Sequence, residues 1–206
     1  NITATGADTG TSTLTITVND AVTAEQGNTA LGLTDGTVIY SGGVSDTFAN
    51  LVDAGNSAVS TNMGNIDGAD ADVAVTVSDT IGTATTANVA DLNALLAATD
   101  GTVTATINGA AANLASLTAT GSDTGTSTLT ITVNDVATAA RGAAIADATD
   151  EATVDFSAAG VNDTFANLVD AGNSAVSANM AKIDAKDANV AVTVSDTIGT
   201  ATTANV

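Results

Sequence analysis

The sequence predicts an α/β protein: a repeat solenoid of short parallel strands alternating with helices. Three observations predict it. First, the chain repeats itself. Residues 3–24 return as residues 118–139 with 19 of 22 positions identical, and residues 44–89 return as 161–206 with 39 of 46 identical. Self-similarity at a fixed long period marks repeat architectures. Second, the apolar residues make up 44% of the chain, yet only one Tyr and three Phe are aromatic. Small apolar side chains suit stacked thin layers better than one deep centre. Third, stretches of period two alternate with stretches of period 3.6. The connections between strands are then long enough for parallel pairing.

The offset is 115 in the first repeated stretch and 117 in the second, so two residues were gained between them. Residues 1–115 read as repeat block 1, with four β–α coils. Residues 116–206 read as an incomplete block 2, continuous with block 1. The simplest expectation is a stretch of a longer array. The alternative fold is a tandem of immunoglobulin-like β-sandwiches. That fold needs about seven strands in about 100 residues, and four strands separated by helices rank it second.

Taken in order, four strands per block are expected: 14–18 (LTITV), 38–40 (VIY), 73–77 (VAVTV) and 103–107 (VTATI). They recur at 129–133, 154–156 and 190–194. Each alternates apolar with small polar residues, as a strand with one buried face does. Leu14, Ile16 and Val18 are expected inside with Thr15 and Thr17 outside. Val103, Ala105 and Ile107 are expected inside with Thr104 and Thr106 outside. Between them lie helical patterns. Phe165, Leu168, Val169, Val176, Met180 and Ile183 share a helical face across 163–183, with a weak point at Gly172–Ser174. Val89, Leu92, Leu95 and Leu96 do so across 87–98, with Gly101 placed as a stop. Segments 110–117 and 137–148 are shorter or weaker helices.

Charge and composition exclude several functions. The formal net charge is −20, and the only cations are Arg141, Lys182 and Lys186. Such a field repels nucleic acid and anionic lipid and attracts divalent cations. With no His and no Cys, there is no imidazole base, Ser-His-Asp triad, thiol nucleophile or thiolate metal site. Neither a dinucleotide fingerprint nor a P-loop occurs. No apolar run approaches the length of a membrane span. No enzyme activity is expected. The string Asn1–Ile2–Thr3 fits a glycosylation acceptor, but its copy, Ser116–Leu117–Thr118, does not.

The strings VAVTVSDT, DTFANL…SANMAKID and ADLNALLAATDGTVTATINGAAANLASL resemble the Thr/Ala/Asp-rich tandem repeats of giant bacterial cell-surface and secreted proteins, marine cyanobacterial ones among them. The resemblance covers essentially the whole chain. It implies an extracellular or cell-surface structural or adhesive role and brings no catalytic residues.

Asp is the residue with chemistry. An Asp closes each strand at Asp20, Asp46 and Asp79, with copies Asp135, Asp163 and Asp196; the fourth coil carries Asn108–Gly109 there. The structural role of such a carboxylate is a helix N-cap. The functional role is shared Ca²⁺ ligation by neighbouring coils, since Ca²⁺ takes six to eight oxygens. No other cofactor is expected. A second acidic cluster, Asp67, Asp70 and Asp72, has the copy Asp184, Asp187 and Asn189. It lacks the EF-hand pattern and reads as a solvated turn. Rows of outward Thr suit a half-exposed strand, with glycan or ice binding as the sharper alternative.

The expectation is therefore a structural segment of a long acidic extracellular rod or fibre, for adhesion or a surface layer. Its partners are neighbouring repeats of the same chain and other copies in a filament or layer. The rival is a repeated binding module for calcium, glycan or ice, which gains avidity from copy number.

Overall fold

The computed structural model describes residues 14–118, 127–148, 153–156, 159–170, 172 and 174–198. It is a mixed α/β structure whose largest sheet has five parallel strands. The chain divides into two compact units. The first comprises the described residues among 1–80, 90–105 and 120–127; the second comprises those among 81–89, 106–119 and 128–206. Strands form in the stretches expected at 154–156 and 190–194, at Thr153–Asp155 and Val192–Val194, and the glycosylation acceptor at Asn1 lies outside the described residues.

In the first unit, β1 (Ile16–Thr17) pairs in parallel with β2 (Val38–Ile39) after α1 (Ala24–Leu31). The chain steps sideways at 41–43 and resumes as β3 (Val44–Asp46), beside Val22. The step requires glycine. A Cβ on Gly42 would stand 2.2 Å from the Asp20 carbonyl carbon, and Gly43 has φ +72°. The four-residue helix α2 (Phe48–Leu51) leads into an antiparallel hairpin of β4 (Val52–Asp53) and β5 (Ala58–Val59). Then α3 (Thr61–Ala69) lies against α1, close enough that a Cβ on Gly27 would stand 2.6 Å from Ile66 Cδ1. Next come β6 (Val75–Ala84), α4 (Thr86–Ala98) and β7 (Val103–Gly109), of which residues 75–80, 90–98 and 103–105 belong to this unit. β6 pairs with β3 in parallel, Val44 opposite Val75. Leu51, Met63, Ile66, Val75, Leu92, Leu95, Leu96 and Val103 form the buried interior of this unit.

The second unit repeats the plan. α5 (Ala111–Leu114) precedes β8 (Thr128–Val133), which pairs in parallel with β9 (Thr153–Asp155). Between them, α6 (Ala139–Ala146) packs on α8 (Ala178–Lys186), where Gly142 meets Ile183 as Gly27 meets Ile66. β10 (Val161–Asp163) pairs in parallel with β13 (Val192–Val194). α7 (Phe165–Leu168) leads into the hairpin of β11 (Val169–Asp170) and β12 (Ala175–Val176).

Three expectations change. The helix expected across 163–183 is two helices separated by the β11–β12 hairpin. Gly172 and Ser174 adopt φ +95° and +50°, the left-handed region that no right-handed helix can contain. The strand expected at 14–18 shortens to two residues, and Leu14 is exposed, whereas its copy Leu129 is fully buried. Gly101 is needed for close approach: a Cβ there would stand 2.4 Å from the carbonyl oxygens of Asp72 and Val73. The strand at 103–107 keeps Val103, Ala105 and Ile107 buried as expected.

Candidate functional site

The aspartates expected to close strands form one recurring arrangement, although Asp79 lies inside β6 and closes no strand. Asp46 accepts from the Ala24 N–H at 3.0 Å, at the first residue of α1. Asp79 accepts from the Phe48 N–H (2.7 Å) at the start of α2, and Asp135 from the Ala111 N–H (2.6 Å) at the start of α5. Asp163 accepts from the Ala139 N–H (3.0 Å) at the start of α6, and Asp196 from the Phe165 N–H (2.7 Å) at the start of α7. In each case the helix lies 22 to 31 residues earlier in the chain than its Asp. The carboxylate thus reaches back to the start of a helix that precedes it in the chain.

Helix chemistry explains why this matters. A helix start leaves backbone donors unpaired, and a negative group there also meets the positive end of the dipole. α1 and α6 have local caps in Thr23 and Thr138. The four-residue helices α2, α5 and α7 follow Thr47, Ala110 and Thr164, none of which makes a side-chain cap. Their first N–H is held by the distant Asp. Isolated helices this short do not form in water, so each depends on the later strand being in place.

Asp46 and Asp163 use both oxygens. Asp46 also accepts from the Thr47 N–H and the Asn50 amide, and Asp163 likewise from Thr164 and Asn167. Burial opposes ionisation of Asp46, but the bonds from Asn50, Thr47 and Ala24 outweigh it and hold the carboxyl below its usual range. For Asp163 the Asn167 bond leads; burial opposes it, and bonds from Thr164 and Ala139 add to it, with the same downward result. Asp20 is exposed. Asn108 stands at the corresponding place on β7, and its buried Oδ1 has no hydrogen-bond partner among the described residues. There α4 is closed by its own residues: Asn88 accepts from the Thr85 N–H and hydroxyl.

Among the described residues, no three acidic side chains converge as a metal-holding group. An open polar depression is lined by Thr23, Ala24, Glu25, Asp46, Asn50 and Asn62. In the repeat, Glu25 is replaced by Ala140, so its chemistry is not shared by both copies.

The second acidic cluster is partly structural. Asp70 accepts from the Tyr40 N–H at 2.7 Å, and its copy Asp187 from the Phe156 N–H at 2.9 Å. Asp67 lies half-buried with Oδ1 unpartnered. Burial first, then the charge of Asp100, pushes its carboxyl upward. The Thr rows are exposed at Thr15, Thr17, Thr104 and Thr130 and half-buried at Thr106 and Thr132.

Sequence reasoning missed Asp91. It is 2% exposed and accepts from the Gly55 and Ser57 N–H groups, each at 2.9 Å, pinning the β4–β5 turn. The signal was present: Asp91 stands four residues before Leu95, on the apolar side of α4. Among the described residues, no helix is long and apolar enough to cross a membrane. No protein-family model, curated protein or solved structure matches the chain.

Proposed function

We propose that this chain is a structural segment of a long, acidic, extracellular repeat protein, a solenoid that forms a rod or fibre for adhesion or a surface layer. One observation carries the reading. Asp46, Asp79, Asp135, Asp163 and Asp196 each complete a helix that precedes them by 22 to 31 residues. A chain tied in this way gains stability from its neighbours in sequence, and each added block both gives and receives support. The charge of −20 keeps such a polymer soluble and discourages unplanned lateral contact. The resemblance of the repeats is what supports adhesion and a surface location.

The test varies copy number. Chains carrying one, two and four blocks are compared by small-angle scattering and urea unfolding. A solenoid with four coils per block lengthens by roughly 19 Å per block, since adjacent strands lie about 4.8 Å apart. Its unfolding slope rises with length until cooperativity breaks down. A maximum dimension that fails to grow with copy number overturns the rod. Calcium is titrated in parallel. A melting midpoint that rises beyond the effect of matched ionic strength transfers the six aspartates expected to close strands to the binding-module reading.

A further inference from the structure

One face of the second unit is open where its copy in the first unit is covered. We propose that this face is a docking surface for an α–β segment of the residue 90–109 type: a helix with an Asp among its Leu residues, then a Thr-Asp-Gly turn and an apolar strand. In the first unit that segment is bonded along its length. Asp91 holds the Gly55 and Ser57 N–H groups. The Thr99 hydroxyl donates to the Val73 carbonyl (2.6 Å), the Asp100 N–H to the Ala71 carbonyl (2.8 Å), and the Val75 N–H to the Thr102 carbonyl (2.9 Å). The Val73, Val75 and Val77 side chains are 1%, 1% and 6% exposed.

The receiving elements recur in the second unit. LVDAGNSAV occupies both 51–59 and 168–176, and VAVTVSDTI both 73–81 and 190–198, without a difference. The backbone recurs too. Gly172 and Ser174 have φ +95° and +50°, against +79° and +52° at Gly55 and Ser57. A left-handed serine is sterically costly, yet the turn is already formed. Above it, Val176 is 57% exposed, Val192 48%, Val194 40% and Ile198 41%. β13 pairs with β10 on one side, and a strand edge of this kind accepts a further strand. Soluble surfaces seldom line up large apolar side chains without a partner. A receptor of the same sequence and backbone selects the same occupant. This inference rests on that identity and stands whether or not the protein forms a fibre.

The test prolongs the chain after Val206 with a second copy of residues 90–117, which continues the repeat register. Amide hydrogen exchange is followed at 174–176 and 192–194. Protection there is expected to rise by at least about ten-fold, as these amides join a cooperative unit. Asp91→Ala in the added copy alone is expected to return the 174–176 amides to their original exchange. Val194→Asp, harmless in the chain as it stands because the residue faces solvent, is expected to abolish the gain. Unchanged exchange at 192–194 in the prolonged chain overturns the proposal. So does protection in the original chain that grows with protein concentration, since a second copy is then the occupant.

Discussion

Residues 73–81 and 190–198 are the same nine-residue string, VAVTVSDTI, in opposite surroundings. Val75 is 1% exposed and Val192 is 48% exposed. Both strands form, in the same parallel register to the same partner: Val44 faces Val75, and Val161 faces Val192. The pairing is therefore encoded by the string and its first neighbour, while burial is conferred by whatever follows. On the solenoid reading proposed above, the core does not belong to one coil and is completed by the next one.

The sharpest way to break this comparison is a charge on the shared string. Val75→Asp places an unpaired carboxylate in a sealed interior and is expected to cost about 3–5 kcal/mol. Val192→Asp is expected to stay within about 0.5 kcal/mol, as exposed substitutions do. Urea unfolding of the two variants measures the difference. Equal costs would mean that the second string is covered in solution.

A smaller effect is expected at the hairpin. Asp91→Ala removes two charge-assisted bonds from the β4–β5 turn, and is expected to destabilise the first unit by about 1.5–3 kcal/mol. Hydrogen exchange should show the Gly55–Ser57 amides opening first while the matching turn at 172–174 is unchanged. A conservative Asp91→Asn keeps the size and loses the charge; partial retention of protection separates the charge from packing.

How much of this was legible beforehand follows from what each contact spans. The repeat, the strands at 103–107 and 129–133 and the apolar face of α4 rest on local periodicity, which one coil displays in full. The Asp expected to close a strand was legible as a cap because Asp suits that role. Which helix it caps was not, since Asp79 meets Phe48 across 31 residues and no local pattern reports that distance. The hairpin within 163–183 was masked by Val169 and Val176. They fall in helical register by spacing, yet face each other as a β-pair. Asp91 was overlooked because a carboxylate on a helix is usually solvated, and its two donors lie 34 to 36 residues away.

Acid provides a third contrast, between carboxylates that gain and one that loses on folding. Asp46 and Asp163 titrate below their ordinary value. Their stabilisation is therefore complete above about pH 4, the unfolded value, and is lost as pH falls through the depressed folded value. Asp46→Ala is expected to cost about 1–2 kcal/mol at neutral pH and almost nothing in strong acid. Asp67 has the opposite sign. Its carboxyl is pushed upward, so folding favours its protonated form and stability falls as pH rises through that range. Asp67→Asn should stabilise the first unit at neutral pH and lose its advantage in acid. Urea midpoints across the acid range, with and without each substitution, check both signs.

The smallest expected effect concerns the aromatic residue beside each helix crossing. Tyr40 donates its hydroxyl to the Gly27 carbonyl at 2.7 Å, and the second unit has Phe156 at the matching place, against Gly142. Burial, and after it the charge of Asp70, pushes the Tyr40 phenol up to about 12. The unfolded chain ionises at about 10, so the folded state holds the extra proton between those values and stability declines as pH climbs through them. Tyr40→Phe converts the first crossing into the second. It is expected to cost about 0.5–1.5 kcal/mol at neutral pH and to abolish the alkaline decline. The reverse change, Phe156→Tyr, should add a bond to the Gly142 carbonyl and introduce an alkaline decline where none existed. If both swaps leave the alkaline limb unaltered, the hydroxyl at Tyr40 meets water in solution, and the two crossings differ in sequence alone.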